Sequence, residues 1–366
     1  MVITHTALHS LLFKVTHAAL WIDGATGFVL LAGLVIGMVQ ARAATTRQGL
    51  TKLGRRTALV YGAHVGLVCL ALVLAPWERM APQSPPPAAA LGGWPSALWQ
   101  TVTLRINPSN IYILSMYVVL FAVAAVGVVL LRRGHPWVLA IASFAVYLSE
   151  LWAPPGWAVL TQYRGVESFF NLSGWQALFV SGLLVGWYWR DRLAHAFDSR
   201  RLAVGAGVAV VVLFVAAQLV VRRGLLAPWA AVDHLTNAAF QKGAMGPGRL
   251  LLGWCVFTVL YYLLRHGVTG RLQRLLVTTL GHVGRRSLDA FVLLSIAVVV
   301  LGAVAPYRSA GVVGMAYAAA VYAVIWCWAW MRNSGGWARV RPSFARRSAA
   351  APSEQAAVAT ASAASS

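Results

Sequence analysis

Long apolar runs separated by short basic clusters dominate the chain. A helix that crosses a bilayer takes about 20 mainly apolar residues. Nine segments approach that length: residues 24–41, 57–75, 111–131, 136–153, 174–189, 202–221, 250–264, 287–304 and 309–331. A tenth, partial one lies at the N-terminus, where Met1–Thr4 and Ala7–Phe13 read as the end of a helix whose beginning is missing. A signal peptide does not fit there, because a basic leading region is absent and His5, His9, Lys14 and His17 interrupt the apolar run. The stretch from Pro76 to Asn110, with Pro82 and Pro85–Pro87, is expected to be an extended surface loop too rich in proline for a helix. Residues 348–366 are Ala/Ser-rich with the single charge Glu354, and are expected to be disordered.

Composition turns these runs into a class. Hydrophobic residues make up 59% and charged residues 11%, with a mean hydropathy of +0.69. A soluble domain carries roughly 25% charged residues, so this chain has less than half the charge that a water-facing surface needs. The formal charge of +21 does not indicate nucleic-acid binding, because the 30 Lys/Arg lie in clusters between apolar runs rather than on one basic face. Ten alternating spans send Arg42, Arg47, Lys52, Arg55, Arg56, Arg132, Arg133, Arg190, Arg192, Arg200 and Arg201 to one side. The same side receives Arg265, Arg271, Arg274, Arg285, Arg286, Arg332, Arg339, Arg341, Arg346 and Arg347, for a total of 21 of the 30. The other side receives Lys14, Arg79, Arg105, Arg164, Arg222, Arg223, Lys242, Arg249 and Arg308, a total of nine. That bias assigns the first side to the cytoplasm. The expected fold is all-α: a polytopic membrane bundle of about ten helices, the first incomplete, over residues 1–331. A cytoplasmic tail, basic and then Ala/Ser-rich, follows over 332–366. The expected location is the plasma (inner) membrane, with both termini cytoplasmic. Cys69, Cys255 and Cys327 have no paired spacing, so neither a disulfide framework nor a metal site is expected.

Polar groups within or beside apolar spans are the candidates for chemistry, since each costs a few kcal/mol on insertion scales. His5, beside Thr4 and Thr6, sits near the external end of the partial first helix. It is either an interfacial histidine wetted by headgroups or a base that titrates near neutrality. Asp23 precedes the second span, where it can cap free N–H groups at the positive end of the helix dipole. Gly27, Gly33 and Gly37 allow close helix packing. Tyr61 and His64 lie early in the third span, and His64 either bonds a neighbouring helix or serves a site. Asn171, Trp175 and Gln176 lead into the sixth span from outside. They offer donors, acceptors and a ring face to a sugar, or equally a helix cap and an interfacial anchor. Asp233, His234, Lys242 and Arg249 complete the external polar set, and Arg249 suits a carboxylate or a headgroup. A phosphate-binding GxxxxGK[ST] loop, a GxSxG elbow and an HExxH pair are all absent from the chain.

In order, these elements resemble the OpgC family of membrane O-acyltransferases, related to the acyltransferase-3 superfamily. The resemblance spans roughly residues 1–330. It rests on His5, the Asp23–Gly33 stretch DGATGFVLLAG, Tyr61-Gly62-Ala63-His64 and Ile113-Leu114-Ser115-Met116-Tyr117-Val118-Val119. It continues through Phe170-Asn171 with Trp175-Gln176, and Gly284-Arg285-Arg286-Ser287-Leu288 with Phe291. The resemblance implies an acyltransferase moving a succinyl or other acyl group from acyl-coenzyme A onto hydroxyls of a periplasmic or cell-envelope glucan. No resident cofactor is implied. His5 would be the general base, with Asp23, Tyr61, His64, Asn171, Trp175, Gln176 and Arg249 binding substrate. The implied partners are the glycan acceptor, the acyl-CoA donor, the bilayer and glucan-synthesis proteins. Departures are Thr4 in place of an Asp, Thr26 of a Glu, Gly62 of an Arg and Leu294 of a His. An Arg that the superfamily carries about eleven positions before the His would fall ahead of Met1, so the true start is expected upstream. The alternatives are a transporter of lipid-linked saccharides or small solutes, and an inactive relative serving as a scaffold.

Overall fold

The computed structural model describes residue 21 and residues 23–76, 85–108, 111–153, 171–219, 230–304 and 311–334. His5 and the partial first helix lie outside these, as do the 154–170 connection and the tail beyond 334. The described residues are helical throughout, with turns and without a strand: α1 (Gly24–Ala41), α2 (Thr46–Leu74), α3 (Trp94–Val102), α4 (Tyr112–Arg132), α5 (Pro136–Trp152), α6 (Leu172–Trp187), α7 (Arg200–Ala217), α8 (Ala230–Phe240), α9 (Pro247–Tyr262), α10 (Gly270–Arg285), α11 (Ser287–Val304) and α12 (Gly311–Asn333). Among the described residues, six helices are long and apolar enough to cross a membrane: α1, α2, α4, α7, α12, and α9 continued by the π-turn Leu263–Gly267. Shorter apolar helices match α5, α6 and α11. Together these nine coincide with the nine apolar segments of the sequence, and the chain is a multi-pass membrane bundle.

Three helices depart from expectation. α2 begins eleven residues before its apolar segment, because Thr45 caps it by accepting from the Gln48 N–H (3.2 Å), and Arg47, Lys52, Arg55 and Arg56 are good helix formers. The loop expected to be extended instead folds back as the turn Ala88–Leu91 and α3. Gly92 and Gly93, at φ 86° and 91°, make the reversal, and Pro95 starts the helix. Ala97, Ile106 and Ile111 then reach the common core. α10 falls between two spans, with its apolar residues spread at helical spacing rather than in a run.

The tightest contact is between α1 and α6. A Cβ on Gly33 would lie 2.1 Å from the Phe179 carbonyl oxygen, and one on Gly37 2.3 Å from that of Leu183. In return, one on Gly186 would lie 2.0 Å from the Leu34 oxygen. Two small-xxx-small stripes therefore face each other, and only glycine permits the approach. Gly27, expected to share that packing, faces open space. α4 and α2 close over this pair, α5 flanks α6, and α11 packs on α2. The core holds Leu30, Val68, Met116, Leu120, Trp175, Phe179 and Leu183. The outward faces are apolar, as lipid requires: Val204, Val208, Val211 and Val212 of α7 are all exposed.

Candidate active site

One end of the bundle gathers polar groups from five segments. Asp23 caps α1, with Oδ1 accepting from the Thr26 N–H (2.8 Å) and the Thr26 hydroxyl (2.9 Å). Its Oδ2 meets Arg249 Nη1 at 2.8 Å and Lys242 Nζ at 3.2 Å. Burial alone would raise the Asp23 pKa; Lys242, Arg249 and the Thr26 hydrogen bonds outweigh it and hold the carboxyl below its ordinary value. Arg249 Nε also donates to the Phe240 carbonyl (3.2 Å), so this guanidinium ties α9 to α8 as well as to α1. The Tyr112 phenol, at the start of α4, lies within electrostatic range of Asp23.

The turn between α8 and α9, residues 241–246, is the hub. Its Gly243 carbonyl accepts from the Asn171 backbone N–H (2.9 Å), and Trp175 Nε1 donates to the Lys242 and Gly243 carbonyls (3.1 and 3.2 Å). Tyr147 donates to the Met245 carbonyl (2.9 Å). Gly174 admits the Ala244 carbonyl, which would be 2.1 Å from a Cβ there. Met245 is fully buried with φ 50°, a left-handed conformation that a side chain adopts only when its surroundings enforce it.

Beneath the turn lies a carboxylate that the sequence reading passed over. Glu150, at the end of α5, is 2% exposed. Its two oxygens accept from Asn171 Nδ2 and Ser173 Oγ. Asn171 stands at the N-cap position of α6, but its side chain turns to Glu150 instead of capping the helix. The signal was present in the sequence, since a carboxylate inside an apolar span is a candidate by default. Tyr112, Ser143 and Tyr147 were passed over too, and nothing in their local pattern distinguished them.

The remaining candidates divide. Trp175 is fully buried, so its ring face packs in the core rather than lying open to a sugar. Gln176 is engaged within the bundle: Oε1 accepts from Ser143 Oγ (2.8 Å), and Nε2 donates to the Ser143 and Ser173 carbonyls (2.8 and 3.0 Å). Tyr61 donates to the Val102 carbonyl (2.7 Å) and braces α3 against α2. His64 is fully buried, and neither ring nitrogen has a hydrogen-bond partner. Its ring lies near the Ile111 backbone, one residue before α4 begins. His5 and the side chain of Asp233 lie outside the described residues. Cys69, Cys255 and Cys327 are unpaired on separate helices.

A family model described as OpgC protein matches residues 1–337. The chain belongs to the OpgC family. Membership carries membrane acyl transfer to glucans as the general activity, and the match covers every described helix of this OpgC-family chain. No curated protein and no solved structure matches it.

Proposed function

We propose that this OpgC-family protein transfers a succinyl or related acyl group from its coenzyme A thioester to a glucan hydroxyl at the Asp23 end of the bundle. That end would be the outer, periplasmic face of the inner membrane, with the Arg-rich end and both termini cytoplasmic. The observation that carries the reading is convergence. Asp23 at the start of α1, Asn171 and Trp175 at the start of α6, and Arg249 of α9 meet on or beside the 241–246 turn. His5 stands 18 positions before Asp23 in the chain. In this reading the His5 imidazole takes the proton of the sugar hydroxyl, and the oxygen attacks the thioester carbonyl carbon. The C–S bond breaks, and coenzyme A leaves as the thiol once it gains a proton. Asp23, Arg249 and Lys242 hold the start of α1 against α8 and α9. Tyr112 and Asn171 form the polar rim that an acceptor sugar meets.

Mass spectrometry of envelope glucans tests this in a deletion strain complemented with wild type or with His5→Ala. Ester-linked acyl groups should return with wild type and stay absent with His5→Ala, although both proteins reach the membrane in equal amounts. Full esterification by His5→Ala would remove the assigned base. Unchanged esters in the deletion strain itself would remove the acceptor.

A further inference from the structure

α10 connects α9 to α11 at the end of the bundle opposite Asp23, and it has no buried residue. At 3.6 residues per turn, Leu272, Leu275, Leu276, Leu280 and Val283 fall on one side, and Arg271, Arg274, His282 and Arg285 on the other. Val283 reaches a small core with Leu294, Val298, Val321 and Ile325. Leu272, Leu275, Val277 and Leu280 are all more than half exposed. The helix is nevertheless anchored along one edge: Trp326 Nε1 donates to the Thr278 carbonyl (2.9 Å), Tyr322 to that of Thr279 (3.0 Å) and Asn333 Nδ2 to that of His282 (3.1 Å). Among the described residues, no carboxylate pairs with Arg271, Arg274 or Arg285. Two acidic groups described at this end are engaged elsewhere, Asp198 with Arg265 (2.7 Å) and Asp289 facing Arg332 (3.9 Å).

A helix with an exposed apolar side and an unneutralised basic side, fixed to a helix that spans the membrane, has the chemistry of an interfacial helix. Water would leave about four large apolar side chains wet, and a neutral lipid surface would leave the arginines uncompensated. We propose that α10 is a seat for anionic phospholipid, its leucines in the acyl boundary and Arg271, Arg274 and Arg285 on the headgroup phosphates. Which leaflet this is rests on the orientation proposed above; the lipid contact does not depend on acyl transfer.

The test uses the full chain reconstituted in nanodiscs of phosphatidylcholine, with and without phosphatidylglycerol. Lipids retained after re-extraction are quantified by mass spectrometry for wild type and for Arg271→Gln/Arg274→Gln/Arg285→Gln. Wild type should be enriched in phosphatidylglycerol over the bulk mixture. The variant should bind it on the order of 100-fold more weakly at low salt, with the gap narrowing as salt rises. A nitroxide on Leu275→Cys, with the three native cysteines replaced by serine, gives a readout with the arginines intact. It should be accessible to oxygen and shielded from a water-soluble nickel chelate. Equal phosphatidylglycerol retention by both proteins overturns the proposal. So does a label open to the nickel chelate, or spin–spin coupling that places a second copy on this face.

Discussion

Replacing Asp23 by asparagine isolates the charge at the hub, because asparagine caps a helix about as well as aspartate and the α1 cap survives. What is lost is the counter-ion of Arg249, whose side chain is only 6% exposed and which sits 2.8 Å from Asp23 Oδ2. Leaving a buried cation uncompensated costs about 3–5 kcal/mol. Lys242, 39% exposed, adds little because water replaces its partner. At roughly 2–4 °C per kcal/mol, Tm of the detergent-purified chain should fall by on the order of 10 °C. Asp23→Asn/Arg249→Met removes both charges and should recover most of that loss. Acid gives a second signature. The Asp23 carboxyl titrates below its ordinary value in the folded protein, so its contribution is present in full above the unfolded value of about 4 and is lost as pH falls through the folded one. The Tm gap between wild type and Asp23→Asn should therefore hold from neutral pH to about pH 5 and close only below about pH 4. An Asp23→Asn protein within about 2 °C of wild type, or a double variant no more stable than the single one, would refute the reasoning.

Two further substitutions probe the bundle. Gly186→Val puts side-chain carbon where the Leu34 carbonyl oxygen stands, so α1 and α6 must separate. A loss of at least 3 kcal/mol, seen as a collapse of monodisperse protein in detergent, is expected, since overpacking by a single methylene already costs about 1–3 kcal/mol. His64→Leu removes a buried imidazole whose nitrogens lack partners and should raise stability by about 1–3 kcal/mol. If His64 serves substrate, the same variant gains Tm while losing glucan esterification, a split that a purely structural histidine would not show.

Much of the fold was legible because lipid imposes a single simple rule: nine apolar segments became nine apolar helices, all but α2 at nearly the same boundaries. Gly33 and Gly37 announced a close helix contact, but not that Gly182 and Gly186 of α6 would answer them, because a stripe of glycines names no partner. α10 escaped the apolar-run reading because an interfacial helix spaces its leucines every three or four residues. α3 escaped because proline, taken as a helix breaker, here begins one.

At the site, the sequence by itself identified Asp23 as a cap, Arg249 and Lys242 as cations flanking a span, and Asn171 as the head of a span. Each of these follows from local rules about helix ends and membrane cost. Tertiary structure alone decided that both cations share the one carboxylate, that Trp175 and Gln176 are spent on the bundle, and that Glu150 lies under the hub held by Asn171 and Ser173. The physical reason is range. A cap or a span is settled within a few residues of chain, whereas Asp23 and Arg249 lie 226 positions apart and meet only once α1, α8 and α9 have packed.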